Sequence, residues 1–315
     1  MNDALHEDEL LIDVDLVRAL VGGARPEYAS LPLTRLDSLG SSNALFRLGA
    51  ELVVRLPRQP GGTATIEKEA RWLPRIAPFL PVPVPRVVLV GEPGLGYPER
   101  WSIVTWLPGD LPTVVDPTSV DEPDQTAPRH LLAQDLAAAV TALRAVEVPP
   151  EARADPELRW YRGEPLVTMD RQTRSDIEAC RHLRDLDLDL AAAARVWDQA
   201  MALPSAGQSV IPRWYHGDLL AENLLVRDGR LAALLDFGGL SLGDPTIDLV
   251  VAWELLDTSS RDVFRQAVGV DDDTWQRGRA WGLALALMTF PYYWRTMPDR
   301  CASRLAMARS VLADA

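Results

Sequence analysis

One block in the second half of the chain, residues 214–250, constrains the fold most strongly. It reads WYHGDLLAENLLVRDGRLAALLDFGGLSLGDPTIDLV, with the order H-G-D-x4-N, two short apolar runs and then D-F-G. The Asp228-Gly229 pair between the apolar runs predicts a tight hairpin turn. Because a hairpin brings its two ends together, we expect Asp236 to lie beside Asp218 and Asn223.

These three polar side chains suit the transfer of a phosphoryl group to a hydroxyl. That reaction needs a carboxylate that orients the alcohol and accepts its proton, and oxygen ligands that hold Mg²⁺ on the phosphates. Asp218 and Asn223 come from one short loop, and the hairpin returns Asp236 to it. A lone H-G-D or D-F-G carries little information, whereas the two motifs joined by a hairpin predict a kinase-type centre.

The same block resembles the aminoglycoside phosphotransferase family, relatives of protein kinases, in which H-G-D-x4-N, D-F-G and G-D-P-x-x-D-L follow in this order. GDPTIDL stands here at 243–249. The resemblance implies an α+β, bilobal protein-kinase-like fold with ATP and Mg²⁺ as cofactors. It implies that Asp218 is the catalytic base and that Asn223 and Asp236 bind magnesium. It also implies a structural role for Asp248 and a supporting role for His216.

The hydrophobic pattern divides the chain into a β-rich part and a helical part. Residues 1–107 are predicted to form an N-terminal nucleotide-binding lobe, with helices near 10–22 and 64–80 and with strand-like runs LPLTRL, NALFRL, ELVVRL, RVVLVG and WSIVTWL. Residues 108–315 are predicted to form a helical C-terminal lobe with the catalytic loop and acceptor site. Its helices are expected near 130–146, 173–201, 244–268, 272–289 and 300–313, after a proline-rich acidic loop at 110–129.

A kinase site also needs a cation on a central strand and a glutamate on the helix of the N-terminal lobe. LVVR at 52–55 occupies the place of the family's strand motif, but Arg55 replaces its lysine. Arginine offers a forked donor that can hold phosphate, so we expect Arg55 to bind nucleotide. A contribution from Arg58 and a plain exposed arginine at position 55 are the alternatives. Glu69 is the expected helix partner, since Glu67 points further from the apolar face.

Two further segments are candidates for nucleotide binding. Ser41, Ser42 and Asn43, within LGSSNAL at 39–45, could cover a triphosphate with small hydroxyls and backbone amides. The same segment would serve equally well as a plain hairpin turn. The adenine is expected against Thr105, Trp106 and Leu107, where a predicted strand enters the connector between the lobes.

Composition excludes several kinds of partner. The net charge of −13 argues against nucleic acid, because phosphate contacts need clustered lysine and arginine. The longest apolar run, 280–294, is too short to span a bilayer and contains Pro291, so no membrane association is expected. Cys180 and Cys301 are far apart and lack metal-ligand spacing. This usage fits a reducing cytosol and predicts a cytoplasmic protein.

The acceptor is expected to be a small hydroxylated molecule. The resemblance favours an aminoglycoside, and the acidic net charge is compatible with such a cation. Glu254, Asp257 and the run 271–273 are candidate carboxylates for it, although the run is better explained as a helix cap. Kinases of macrolides, homoserine, choline and fructosamines share the motifs and are alternatives. A catalytically inactive ATP-binding protein is a further alternative, motivated by Arg55.

Overall fold

The computed structural model describes residues 8–36, 40, 42–115 and 126–314, without the side chains of residues 126–128. Its N-terminal lobe is built on a five-stranded antiparallel sheet in the order β1-β2-β3-β5-β4. The strands are β1 (Leu33–Arg35), β2 (Asn43–Leu48), β3 (Leu52–Pro57), β4 (Val87–Gly91) and β5 (Trp101–Thr105). Every strand predicted from the alternating apolar runs is present.

Two helices accompany this sheet. Helix α1 (Val14–Ala24) begins at Asp13, whose carboxylate accepts a hydrogen bond from the Leu16 amide. It packs its buried face on the sheet, within a core that includes Phe46, Val54 and Trp101. Helix α2 (Thr63–Ile76) connects β3 to β4, and its buried face includes Glu69.

The C-terminal lobe is mainly helical. Its helices are α3 (Thr126–Ala145), α4 (Pro150–Ala154), α5 (Asp170–Cys180), α6 (Leu190–Met201), α7 (Val251–Leu255), α8 (Thr258–Val268), α9 (Asp272–Tyr293) and α10 (Pro298–Ala313). Helix α9 is buried along most of its length and packs against α5 and α10. None of the helices in the described part of the chain has the length and apolarity needed to cross a membrane.

Two predicted helices are each divided in the structure. The helix expected over 173–201 ends at Cys180, and α6 starts only at Leu190, after Asp189 caps it by accepting from the Ala192 amide. The intervening D-L-D-L alternation has the period of a strand and cannot continue a helix's apolar face. The helix expected over 244–268 is a 3₁₀ segment followed by α7 and α8, which Asp257 separates by capping α8.

The block at 214–250 forms the hairpin that the sequence predicted. Strands β7 (Leu224–Arg227) and β8 (Arg230–Leu234) are joined at Asp228 and Gly229, which both have positive φ, as a tight turn of this kind requires. A second pair, β6 (Arg213–Tyr215) with β9 (Ser241–Gly243), encloses the block and was not predicted. The α+β, bilobal architecture is therefore confirmed, while the predicted division of roles at residue 107 stays a prediction.

Candidate active site

The loop after β6 holds Asp218 in a rigid frame. The Asp248 carboxylate accepts hydrogen bonds from the backbone N–H groups of His216 and Gly217, at 2.7 and 2.8 Å. The His216 ring lies 2.9 Å from the Leu235 carbonyl, so it ties this loop to the end of the β7–β8 hairpin. The structural role expected for Asp248 and the supporting role expected for His216 agree with these contacts.

Asp218 is held through both of its carboxylate oxygens. The Arg162 guanidinium donates to Oδ1 at 2.6 Å, and the Asn223 amide donates to Oδ2 at 3.0 Å. Burial opposes ionisation of Asp218, but the attraction and hydrogen bond of Arg162 outweigh it and lower the pKa of this carboxyl. Asp218 is therefore an ionised acceptor facing the cleft.

Asp236 begins the D-F-G segment in a left-handed conformation, with φ of 51°. This backbone state is uncommon for a residue other than glycine and is often found at functional sites. Its Oδ1 accepts from Arg55 Nη2 at 2.8 Å. The conformation thus directs the aspartate at the cation on β3.

Arg55 and Glu69 form the strand–helix pair expected of a kinase-like lobe. Both carboxylate oxygens of Glu69 accept from Arg55 Nη1, at 2.7 and 2.8 Å. Arg55 is only 5% exposed, which rules out the plain surface arginine. Burial alone would lower its pKa, but Glu69 and Asp236 together hold the pKa of Arg55 above its usual value. The guanidinium is a fixed charge that bridges two carboxylates.

Arg58 and Glu67, the alternatives to Arg55 and Glu69, form ion pairs with other residues. Arg58 pairs with Glu9 at 2.7 Å and lines neither of the cavities described below. Glu67 is half-exposed and pairs with Arg100 at 3.2 Å. Of the two glutamates, Glu69 is thus the one that pairs with Arg55.

A narrow cavity of about 140 Å³ lies between the sheet and the connector to the helical lobe. Thr105, Trp106 and Leu107 line it, as do Asn223 and Asp236. Among the described residues, none hydrogen-bonds the main chain of Leu107. Such a mostly apolar slot with an unpaired backbone edge is suited to a flat heterocycle.

A wider cleft of about 750 Å³ adjoins this slot and contains Asp218, Asp236 and Lys68. Ser42 and Asn43 line its sheet side, whereas Ser41 lies outside the described residues. The opposite wall is largely aromatic and basic, formed by Arg159, Trp160, Arg162, Met288, Tyr292, Tyr293 and Arg300. Asp218, Asn223 and Asp236 thus lie where the slot and the cleft meet.

The donor set for magnesium is small but chemically suitable. Among the described residues, no group of three or more His, Cys, Asp or Glu side chains could hold a metal ion. Asp236 and Asn223 offer carboxylate and amide oxygens, and the Asn223 nitrogen is already directed at Asp218. Mg²⁺ commonly takes one or two protein oxygens and completes its shell with phosphates and water. These two residues fit that requirement.

The sequence did not predict that an arginine pairs with Asp218. Arg162 lies 56 positions before it, in the polar and aromatic segment RWYRGEPL at 159–166. The unusual composition of that segment was its only signal. The carboxylates proposed for the acceptor are placed elsewhere: Glu254 is fully buried and paired with Arg304, while Asp257 and Asp271 cap helices α8 and α9.

A family model and several solved phosphotransferase structures are similar to this chain. The model of the phosphotransferase enzyme family matches residues 34–281. No curated protein matches the chain significantly. A solved GDP complex of wild-type aminoglycoside 2'-phosphotransferase-IIIa has a TM-score of 0.69 at 19% identity, covering 96% of this chain and 99% of that one.

Two further solved structures are similar to this chain over nearly its whole length. The GDP and kanamycin complex of APH(2")-IIia has a TM-score of 0.66 at 20% identity, with 95% of this chain and 97% of that chain covered. Macrolide 2'-phosphotransferase MphH from Brachybacterium faecium has a TM-score of 0.58 at 22% identity, with 95% and 98% covered. These similarities show a shared fold. Because the family model spans most of the chain, the protein belongs to the phosphotransferase enzyme family.

Proposed function

We propose that the protein transfers the γ-phosphoryl group of ATP to a hydroxyl of a small molecule, with Asp218 as the base. The observation that carries this proposal is the position of Asp218, ionised and facing the cleft, next to Asn223 and the D-F-G aspartate. The acceptor hydroxyl would donate to Asp218 while its oxygen attacks the phosphorus. The intact trio also argues against the inactive ATP-binding alternative.

The nucleotide would occupy the narrow cavity and point its phosphates toward Arg55. Its base would lie against Thr105, Trp106 and Leu107. The main-chain groups of Leu107, which no described residue hydrogen-bonds, would be available to it. Ser42 and Asn43 would cover the phosphates from the sheet side. Arg55 would contact them and depends on Glu69 for its position.

Asn223 and Asp236 would hold Mg²⁺ against these phosphates. When bound, the ion would neutralise phosphate charge and orient the transferred group. The contribution of the chain is to present two oxygen ligands beside Asp218. Asp236 already accepts a hydrogen bond from Arg55. Asp236 would therefore link the Arg55 guanidinium to the magnesium ion.

Two acceptor classes are supported by different observations. An aminoglycoside is favoured by the resemblance of the block at 214–250, and two of the similar solved structures are complexes with kanamycin and gentamicin. A weakly charged, larger acceptor such as a macrolide is favoured by the cleft wall. That wall presents the side chains of Trp160, Met288, Tyr292 and Tyr293. Of the described carboxylates that line the cleft, Asp218, Asp236 and Glu69 are each paired with an arginine, which leaves Glu157 to attract a cationic acceptor.

A phosphotransfer screen tests the proposal. Purified protein is incubated with Mg-ATP, and in parallel with Mg-GTP, plus aminoglycosides, macrolides or amino alcohols, and phosphorylated products are detected by mass spectrometry. We expect one class to gain a single phosphoryl group. Absence of nucleotide binding by calorimetry would contradict the proposal as a whole. Transfer to kanamycin but not to a macrolide would decide against the second acceptor class.

A further inference from the structure

The loop from His216 to Asn223 contains no lysine or arginine. Between His216 and Asn223 the side chains after Asp218 are Leu219, Leu220, Ala221 and Glu222, and the three apolar ones are buried. Phosphoryl transfer spreads negative charge over the oxygens of the group in transit, and a nearby cation stabilises that charge. A cation on the acceptor side of the cleft must therefore come from another part of the chain.

The two described cations of the N-terminal lobe that line the cleft are poorly placed for this task. Arg55 is bound by Glu69 and by Asp236, so its guanidinium lies on the nucleotide side. Lys68 lines the cleft, but it makes no hydrogen bond to the catalytic loop. Burial also lowers the pKa of Lys68, which weakens it as a permanent charge.

Arg162 meets the requirement. Its Nη1 donates to Asp218 Oδ1 at 2.6 Å and to the Gly217 carbonyl at 2.7 Å, and its Nε donates to the Tyr161 hydroxyl at 3.1 Å. No described residue accepts a hydrogen bond from its Nη2. The side chain is 13% exposed and lines the cleft. One arm of the guanidinium thus holds Asp218, and the other remains available to a ligand.

The surrounding packing fixes this arginine in place. Its guanidinium carbon lies 4.4 Å from the centre of the Trp160 ring, and that ring packs on Gly217 and Gly239. The next residue, Gly163, packs so closely on Tyr215 that a Cβ would lie 2.5 Å from the ring, and its carbonyl accepts from the Asp244 amide at 2.8 Å. A charge positioned before the reaction needs no reorganisation during it.

We propose that Arg162 is a catalytic residue that joins Asp218 to the phosphoryl group in transit, an inference that rests on the proposed function. The acceptor oxygen forms its bond to the γ-phosphorus as the bond from that phosphorus to the β,γ-bridging oxygen breaks. The bonding electrons leave with ADP, and the acceptor proton passes to Asp218. Throughout, Nη1 orients Asp218 and Nη2 donates to a non-bridging oxygen of the transferred group.

The test compares wild type with Arg162→Met, Arg162→Lys and the control Arg171→Met. Arg171 is an exposed arginine of α5 with no described ion pair, and it does not line the cleft. Calorimetry measures binding of Mg-ADP and of the magnesium complex of the β,γ-imido ATP analogue. Because Nη2 contacts only the γ-phosphoryl group, Arg162→Met should weaken binding of the analogue about tenfold and leave ADP binding unchanged.

Kinetics supply the second readout, with the acceptor found in the screen. The turnover number of Arg162→Met should fall about 10²–10³-fold, with KM for ATP changed only severalfold. The turnover number of Arg162→Lys, which lacks the fork, should lie between those of wild type and Arg162→Met. If Arg162→Met fails to fold, Arg162→Lys takes its place in the test. The control should match wild type.

Two outcomes would overturn the inference. One is an equal loss of affinity for Mg-ADP and for the imido analogue in Arg162→Met, and the other is a wild-type turnover number in a folded Arg162 variant. A wild-type protein that binds neither nucleotide would instead contradict the proposed function.

Discussion

Arg55 Nη2 and Asp236 Oδ1 are joined by an ion pair of 2.8 Å, although the two residues are 181 positions apart. The same guanidinium holds Glu69, so strand β3, helix α2 and the D-F-G segment meet at one charge. A lysine has a single ammonium and no fork. Arginine at this position is therefore able to connect the two lobes through two separate nitrogens, whereas a lysine would have to reach both carboxylates from one.

Replacing Arg55 should affect stability and nucleotide binding differently according to the substitute. Arg55→Met leaves the Glu69 carboxylate buried without its cation, which we expect to lower the free energy of unfolding by about 3–5 kcal/mol. Arg55→Lys retains a charge for Glu69 and should lose less stability, but it should weaken ATP binding. Urea unfolding and calorimetry measure the two effects. If Arg55→Met were as stable as wild type, the buried Arg55–Glu69 ion pair would not contribute to the free energy of unfolding.

Asp218→Asn should lower turnover about 10²–10⁴-fold while ATP affinity stays within a few-fold of wild type. The amide keeps the size of the side chain but cannot accept the acceptor proton. Single-turnover phosphotransfer and calorimetry measure the two quantities. Asp228→Asn is the matched control, because Asp228 lies in the β7–β8 turn with positive φ, a conformation that asparagine tolerates. Equal loss in both variants would assign the defect to the hairpin instead of the base.

Glu254 should make stability depend on pH. Burial raises its pKa to about 7, although Arg304 opposes the shift, so the folded protein binds a proton here more tightly than the unfolded chain. The stabilisation is fully present below the unfolded pKa near 4.5 and is lost as the pH rises through about 7.

Glu254→Gln should flatten this dependence by an amount on the order of 2–3 kcal/mol, measured by urea unfolding at several pH values. Glu51→Gln, which alters an exposed carboxylate with no described ion pair, should retain the wild-type slope. An unchanged slope in Glu254→Gln would show that this carboxyl is not the titrating group.

Gly163→Ala should destabilise the protein by at least about 1–3 kcal/mol and reduce turnover. The added Cβ would lie 2.5 Å from the buried Tyr215 ring, so the segment carrying Arg162 would have to move. Gly23→Ala is the control, since a Cβ there meets nothing within 4 Å and the residue lies inside α1. That variant should be more stable by about 0.5–1 kcal/mol. Thermal unfolding distinguishes the two; equal stability of Gly163→Ala and wild type would contradict the packing argument.

The sequence alone determined those parts of the protein that depend on neighbours along the chain. The β7–β8 turn follows from Asp228-Gly229, the five strands follow from alternation, and the choice of Glu69 over Glu67 follows from helix periodicity. The linked motifs indicated the positions of Asp218, Asn223 and Asp236. Each of these inferences uses short-range rules of backbone geometry, which a local sequence obeys largely independently of the rest of the fold.

Only the tertiary structure decided which charges meet. Arg162 reaches Asp218 across 56 positions, and Arg304 reaches Glu254 across 50. No spacing rule relates such residues, because their contact results from how helices and loops pack. Packing also removed Glu254 from the candidate acceptor site by burying it completely. The local pattern thus predicted that Asp218, Asn223 and Asp236 lie together, whereas the fold determined the charges around them.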